Sequence, residues 1–271
     1  MYLCDLHSHT LISHDSHASL ADMAAAAVSA GLRELCVTDH CDLLDGDGKP
    51  NAFFNWPAAK EQYRAIKGLL GDKLILRLGI ELGSAPYDPA VARAILKEGG
   101  NALDFVLGSL HNWIGAEGNR DLYFSNFHDN PTLARRAVES ALDHTWALVT
   151  KYSDCYDSLA HVNYPLRYIH RDGLDLSLTD YEDRVRTIFA EVAKTGHALE
   201  VNTCRGQELD CWPFLLRWFR ECGGELITVG SDAHRSEDVA QGIPEALAML
   251  NAAGFRYVTT FAGRRPITHS I

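Results

Sequence analysis

Basic residues are scarce in this chain of 271 residues, where 25 Lys and Arg stand against 36 Asp and Glu, for a formal charge of −11 and a pI near 5.6. Phosphate backbones attract clustered cations, and no such cluster is present, so a nucleic-acid partner is not expected. No apolar stretch approaches the ~20 residues of a membrane span. No signal peptide precedes the first motif either, so no membrane partner is expected. The seven cysteines (Cys4, Cys36, Cys41, Cys155, Cys204, Cys211 and Cys222) form no Cys-x-x-Cys pair and no even framework. Several sit in apolar runs, as in Leu35-Cys36-Val37, where a buried free thiol suits a reducing, cytoplasmic setting. Linkers, repeats and low-complexity segments are also missing, which leaves a single domain over residues 1–271 as the economical reading.

What is present is an alternation of short apolar runs with helical patterns, supported by a hydrophobic content of 46%. Strands are expected at 2–6, 35–38, 74–80, 105–110, 158–160, 198–201, 226–230 and 257–261. Helices are expected between them. The first is capped by Ser19, carries Leu20, Met23, Ala27 and Val28 on one face, and stops at Gly31. The others cover 56–70, 89–98, 132–151, 181–195, 212–222 and 239–253. Seven or eight β-α units in a chain of this length fit one α/β barrel, which typically needs ~250 residues. The segments 42–55 and 115–131 are too long for tight connections and are expected to form loops over the barrel mouth.

At six places an apolar run ends and a His, Asp or Glu follows at once. These residues are His7 and His9, His40, Glu81, His111, His161, and Asp232 with His234; Asp15 joins them from the first loop. The C-terminal ends of parallel barrel strands bring such residues together from all along the chain. His7 and His9, two apart on one strand end, project to the same side, and Asp232 and His234 share that spacing. Mixed imidazole and carboxylate ligands suit Zn²⁺, Fe²⁺ or Mn²⁺ better than Ca²⁺ or Mg²⁺. Nine ligands exceed the needs of one ion, so two to three divalent transition-metal ions are expected. His17, His128, His144, His197 and His269 follow no strand signal and read as surface or structural residues. His14, beside Asp15, and His170, in a polar stretch, are not assigned.

In order along the chain, Asp5-x-His7-x-His9, Thr38-Asp39-His40, Gly79-Ile80-Glu81, Gly108-Ser109-Leu110-His111, Ala160-His161 and Gly230-Ser231-Asp232-Ala233-His234 resemble the motifs of the polymerase and histidinol phosphatase (PHP) superfamily. Ser13-His14-Asp15, Leu166-Arg167-Tyr168, the run from Gly230 to Val239, Ala252-Ala253-Gly254-Phe255 and Arg264-Arg265-Pro266 resemble the stand-alone histidinol-phosphate phosphatase branch. Departures occur at Val162-Asn163-Tyr164-Pro165 and over residues 112–131, where the match is weak. The resemblance implies a distorted (β/α)7 TIM-like barrel holding three ions. His7, His9, Glu81 and Asp232 would bind the first. Glu81 would bridge to a second ion held by His111 and His161, and Asp15, His40 and His234 would bind the third. Asp5 and Asp39 would orient neighbouring imidazoles through their distal N–H groups.

The activity so implied is hydrolysis of L-histidinol phosphate to L-histidinol and phosphate, a histidine-biosynthetic reaction, by a metal-bridged hydroxide attacking phosphorus. Glu81, Asp232 and His234 are the expected catalytic residues. Arg167 and Arg205 are candidates to grip the phosphate, since a guanidinium engages two oxygens at once. Asp42 is a candidate for the cationic end of the substrate. The alternatives are a PHP phosphoesterase acting on another small phosphate ester, a nuclease, or a non-enzymatic metal-binding protein; the last should have lost a ligand, and none is missing.

Overall fold

Residues 1–271, except 52 and 116, are described by a computed structural model. Those two residues fall inside the two expected mouth loops and lie outside the described residues. The elements run β1 (Cys4–Asp5), α1 (Leu20–Ser29), β2 (Glu34–Val37), β3 (His40–Asp42), α2 (Trp56–Leu70), β4 (Ile75–Gly83), α3 (Pro89–Gly99), β5 (Phe105–Ser109) and α4 (Pro131–Lys151). They continue with β6 (Ser158–Leu159), α5 (Tyr164–Arg171), α6 (Glu182–Lys194), β7 (Ala198–Asn202), α7 (Trp212–Glu221), β8 (Ile227–Gly230), α8 (Ile243–Ala252), β9 (Tyr257–Ala262) and β10 (Arg265–Ser270).

The central strands pair in parallel in the order β1-β2-β4-β5-β6-β7-β8. Their continuous apolar runs follow from that arrangement, because helices cover one face and the barrel interior the other. The two ends of the sheet meet. Leu6 N donates to Val229 O at 2.9 Å, Asp232 N donates to His7 O at 2.9 Å, and Ser8 bridges Ala233 in parallel. These contacts close seven strand positions into the expected distorted (β/α)7 barrel. β3 is a resumption of the β2 path after a break at residues 38 and 39, and it sets His40 opposite Glu81 on β4.

The helices begin where the chemistry allows. Ser19 Oγ accepts from Asp22 N at the start of α1, and Asn55, Asp88 and Asn130 cap α2, α3 and α4, each followed by a proline in the first turn. Trp56 and Trp212 are fully enclosed, and each indole N–H is satisfied by a carbonyl, of Ile95 at 3.0 Å and Asn202 at 2.9 Å. On α1 the buried face is Leu20, Met23, Ala24 and Ala27; Val28, expected on that face, is exposed because 3.6-residue spacing carries it past the stripe.

Two further features differ from the expectation. The segment after His161 contains a helix, α5, only eight residues long, which buries Pro165, Leu166 and Ile169 on one face and sets Arg167 and Arg171 together on another; it was not among the expected helices. The last expected strand does not join the barrel. β9 pairs antiparallel with β10 in a separate hairpin, with Phe261 stacked on Phe105 at 4.9 Å. Arg264, at its turn, bonds Asp157 Oδ1 at 3.0 Å, just before β6 and at the barrel end away from the ligands. At the opposite end the two long loops pack on each other. Asp121 N donates to Gly46 O at 3.1 Å and Asn112 Nδ2 to Asp45 O at 3.0 Å.

Candidate metal centre

All nine expected ligands converge at the C-terminal end of the strands. Glu81, fully buried on β4, is the hub. Its Oε1 lies 2.8 Å from His161 Nε2 and 3.0 Å from His111 Nε2. Its Oε2 lies 3.2 Å from His7 Nε2, 3.6 Å from His9 Nε2 and 3.0 Å from His40 Nδ1. Asp232 Oδ1 stands 3.5 Å from Nε2 of both His7 and His9. Asp15 Oδ2 lies 3.2 Å from His234 Nε2 and 3.5 Å from His40 Nε2.

Local backbone makes this convergence possible. A Cβ at Gly230 would fall 2.3 Å from His7 Cβ, so only glycine lets β8 approach β1 here. His161 and Asp232 hold left-handed φ values of 39° and 61°, which turn their side chains inward at a cost of order 1–3 kcal/mol each.

The donors fit divalent metal ions. Nε2 of His7, Nε2 of His9, Nδ1 of His40 and Oε2 of Glu81 are buried without a hydrogen-bond partner among the described residues. His40 Nδ1 and Glu81 Oε2 are close, but their angle is not that of a hydrogen bond. Orphaned buried lone pairs are costly unless something else coordinates them. Four sets, His7/His9/Asp232, His7/Glu81/His161, His40/Glu81/His111 and His9/His40/His234, each offer ligand atoms within 4.8 Å of one another.

The electrostatics follow from the crowding. Burial opposes the charge on His7, but Glu200, Glu81 and Asp232 raise it well above the usual histidine range. Burial likewise opposes His111, which Glu81 and Asp42 push up to about 10. Burial lowers His9, and the neighbouring His234 and His40 lower it further. Burial would raise Glu81, yet His7, His111 and His40 hold it well below the carboxylate range.

The supporting carboxylates are not the expected ones. Asp5 touches no imidazole: it accepts from Ser231 N at 2.9 Å, Ser231 Oγ at 2.5 Å and Ala240 N at 3.0 Å, tying β1 to the segment after β8. Asp39 accepts from Thr10 and from Ser13 Oγ at 2.8 Å, and it is Ser13 Oγ that meets His9 Nδ1 at 3.1 Å. The direct carboxylate partners are Asp42, 2.8 Å from His111 Nδ1, and Glu200, 2.6 Å from His7 Nδ1. Glu200 was missed; its only signal is an acid within the apolar run Leu199-Glu200-Val201.

A cavity of about 890 Å³ opens above the ligands. Arg205, Arg167 and Arg235 line it together with Asp42, Asp45, Asp47, Asp121 and the aromatic rings of Tyr123, Phe124, Tyr164 and Tyr168. Both loops expected over the mouth contribute to it. Arg167 is partly buried and committed: Nε to Glu208 at 2.8 Å, Nη1 to Asp232 at 3.0 Å and Nη2 to Asn202 at 2.9 Å. Among the described residues, Arg205 donates one side-chain hydrogen bond, from Nη2 to Cys204 Sγ at 3.5 Å. Asp42, between His111 and His40, faces imidazoles as well as the cavity. His14 and His17, not assigned to the site, also line the cavity. His128 approaches Asp172, His144 the Ser140 carbonyl, His170 the Leu176 carbonyl, His197 Thr195, and His269 Thr260, all away from the centre.

The PHP domain profile matches residues 5–204, from the first motif to the end of β7. The chain belongs to the PHP domain family. Among its relatives is a protein of Thermotoga maritima named a probable histidinol-phosphatase, 27% identical over 98% of each chain. The histidinol-phosphatase of Lactococcus lactis is 25% identical over 96% of this chain and 95% of its own. The solved structure of the Lactococcus lactis histidinol phosphate phosphatase, complexed with zinc, L-histidinol and phosphate, superposes with a TM-score of 0.84 over 98% of both chains at 24% identity, which establishes the shared fold. This PHP domain has no helix long and apolar enough to cross a membrane among the described residues.

Proposed function

We propose that the chain, acting as one domain over residues 1–271, is a metal-dependent phosphomonoesterase hydrolysing L-histidinol phosphate to L-histidinol and phosphate. The observation that carries the reading is the convergence of eight ligand-type residues on Glu81 and its neighbours, with Asp15 beside His40 and His234, beneath a cavity lined by both arginines and carboxylates. The names of full-length relatives support the choice of ester and its place in histidine biosynthesis.

Two to three ions, of zinc, iron or manganese, would be held by His7, His9, Glu81 and Asp232, by Glu81, His111 and His161, and by Asp15, His40 and His234. Bound there, divalent ions lower the pKa of water and place positive charge opposite the phosphate oxygens. The protein supplies the rest. Arg205 grips the phosphate, while Arg167 holds Asp232 in place and has further N–H groups to offer. Asp121, Asp45 and the Tyr164–Tyr168 wall receive the cationic, aromatic end of the substrate. The packed loops over the mouth limit water around the reacting ester. The free thiols, five of the seven buried, suit a cytoplasmic enzyme.

Comparison of kcat/KM for histidinol phosphate, an aryl phosphate and a panel of small phosphate esters tests this. Histidinol phosphate should lead by at least ~100-fold, because a site built for polar groups discriminates by several kcal/mol. Equal rates would leave a general phosphatase, and another leading ester would replace histidinol phosphate as the substrate.

A further inference from the structure

His7 is shared by two of the ligand sets at the centre, and what holds its ring is remote from it in sequence. Glu200 Oε1 on β7 lies 2.6 Å from His7 Nδ1, with both side chains essentially without solvent. The other ring nitrogen, Nε2, is enclosed and has no hydrogen-bond partner among the described residues. An imidazole that donates Nδ1–H to a carboxylate presents an unprotonated Nε2, which is the lone pair an ion requires. Asn202, two residues further along β7, completes the support. Its Nδ2 donates to Glu200 Oε2 at 3.4 Å and to Asp232 Oδ2 at 3.3 Å, joining the carboxylate that holds His7 to a second ligand. Its Oδ1 accepts from Arg167 Nη2 at 2.9 Å and from Cys204 N at 2.8 Å, which fixes the amide orientation. Glu200 and Asn202 share one strand face because side chains alternate with a period of two. They reach β1 because β7 lies beside β8, which closes against β1.

We infer that Glu200 is a positioning residue that fixes the tautomer and ring angle of His7, with Asn202 coupling this ligand to Asp232. The inference rests on the metal-centre reading, since His7 must be a ligand for its tautomer to matter. Glu200 is buried and is not among the residues that line the cavity, so its effect passes through the ion that His7 would bind. A carboxylate in this role changes metal affinity by about 10- to 100-fold.

The experiment compares wild type, Glu200→Gln and Glu200→Asp, each loaded with Zn²⁺, by competition with a chromophoric chelator at fixed pH. Metal-free thermal unfolding is recorded alongside. Gln keeps the volume but not the charge, and Asp keeps the charge but is too short to reach. Both should lose Zn²⁺ from one site about 10- to 100-fold more readily than wild type, with the remaining zinc unchanged. Added Zn²⁺ should restore kcat to Glu200→Gln, a rescue that a loss of fold would not allow. Wild-type Zn²⁺ affinity in both variants, or in Glu200→Asp should Glu200→Gln fail to fold, overturns the inference, as does loss of unfolding temperature alone. Wild type that takes up no Zn²⁺ would instead overturn the metal-centre reading itself.

Discussion

Glu81→Gln is the sharpest perturbation available, because five imidazole nitrogens stand within 3.6 Å of its two carboxylate oxygens. The amide keeps the shape of the side chain and removes one negative charge from a buried site. In the loaded protein this leaves divalent ions facing neutral imidazoles without the carboxylate that connects their ligand sets. Breaking a buried charged set by removing one partner costs about 3–5 kcal/mol. At about 1.4 kcal/mol per tenfold, that is roughly two to three and a half powers of ten in affinity for the ions sharing Glu81. The assay is metal content per protein after dialysis against chelator-treated buffer, paired with phosphate release from histidinol phosphate. The variant should retain fewer metal equivalents and lose at least two powers of ten in kcat/KM. A Glu81→Gln protein with full metal content and near-native turnover would refute the idea that one carboxylate serves two ions.

Arg205→Ala should raise KM for the phosphate ester about tenfold or more while metal content stays constant, since among the described residues the arginine's side-chain hydrogen bond goes to Cys204 and not to a ligand. Arg167→Ala should lower both turnover and retained metal, because Asp232 loses its 3.0 Å partner; equal behaviour of the two variants would remove the division of labour. Stripping the ions with a chelator should abolish activity and lower the unfolding temperature by roughly 10 °C, taking about 4 kcal/mol for ligands present at a thousandfold excess over Kd. An unchanged melt would show that no tightly held ion was present. Arg264→Ala should leave activity intact and cost about 1–3 kcal/mol, because Asp157 stays buried without its ion pair. Burial raises the Asp157 pKa and Arg264 opposes that rise, so removing Arg264 lifts the folded pKa further. The deficit should therefore be smallest at acid pH, where Asp157 is protonated in both folded and unfolded states. It should grow as pH rises through the carboxylate range, and a pH-independent deficit in urea unfolding would contradict this.

Strand ends and ligand types were legible in the sequence because both are local. An apolar run followed by His, Asp or Glu states where a strand stops and what it presents, and six repeats of that pattern demand convergence. The α/β alternation, the capped helices and the two loops over the mouth follow from the same short-range signals. Partnership is different, because it depends on which segments the closed barrel brings together. Glu200 lies 193 residues from His7, and no periodicity connects them. Asp5 and Asp39 stood close to histidines in sequence, yet their carboxylates turn to backbone and hydroxyl donors, because barrel closure sets Ser231 and Ala240 against Asp5 and sets Thr10 and Ser13 against Asp39. Arg167 and Arg205 were equivalent as guanidiniums near strand ends. Only the position of α5 against Asp232, Asn202 and Glu208 separates the committed one from the less tethered one. Whether β9 would enter the barrel was likewise a tertiary outcome, decided once β8 had closed against β1 and β9 was left to pair with β10.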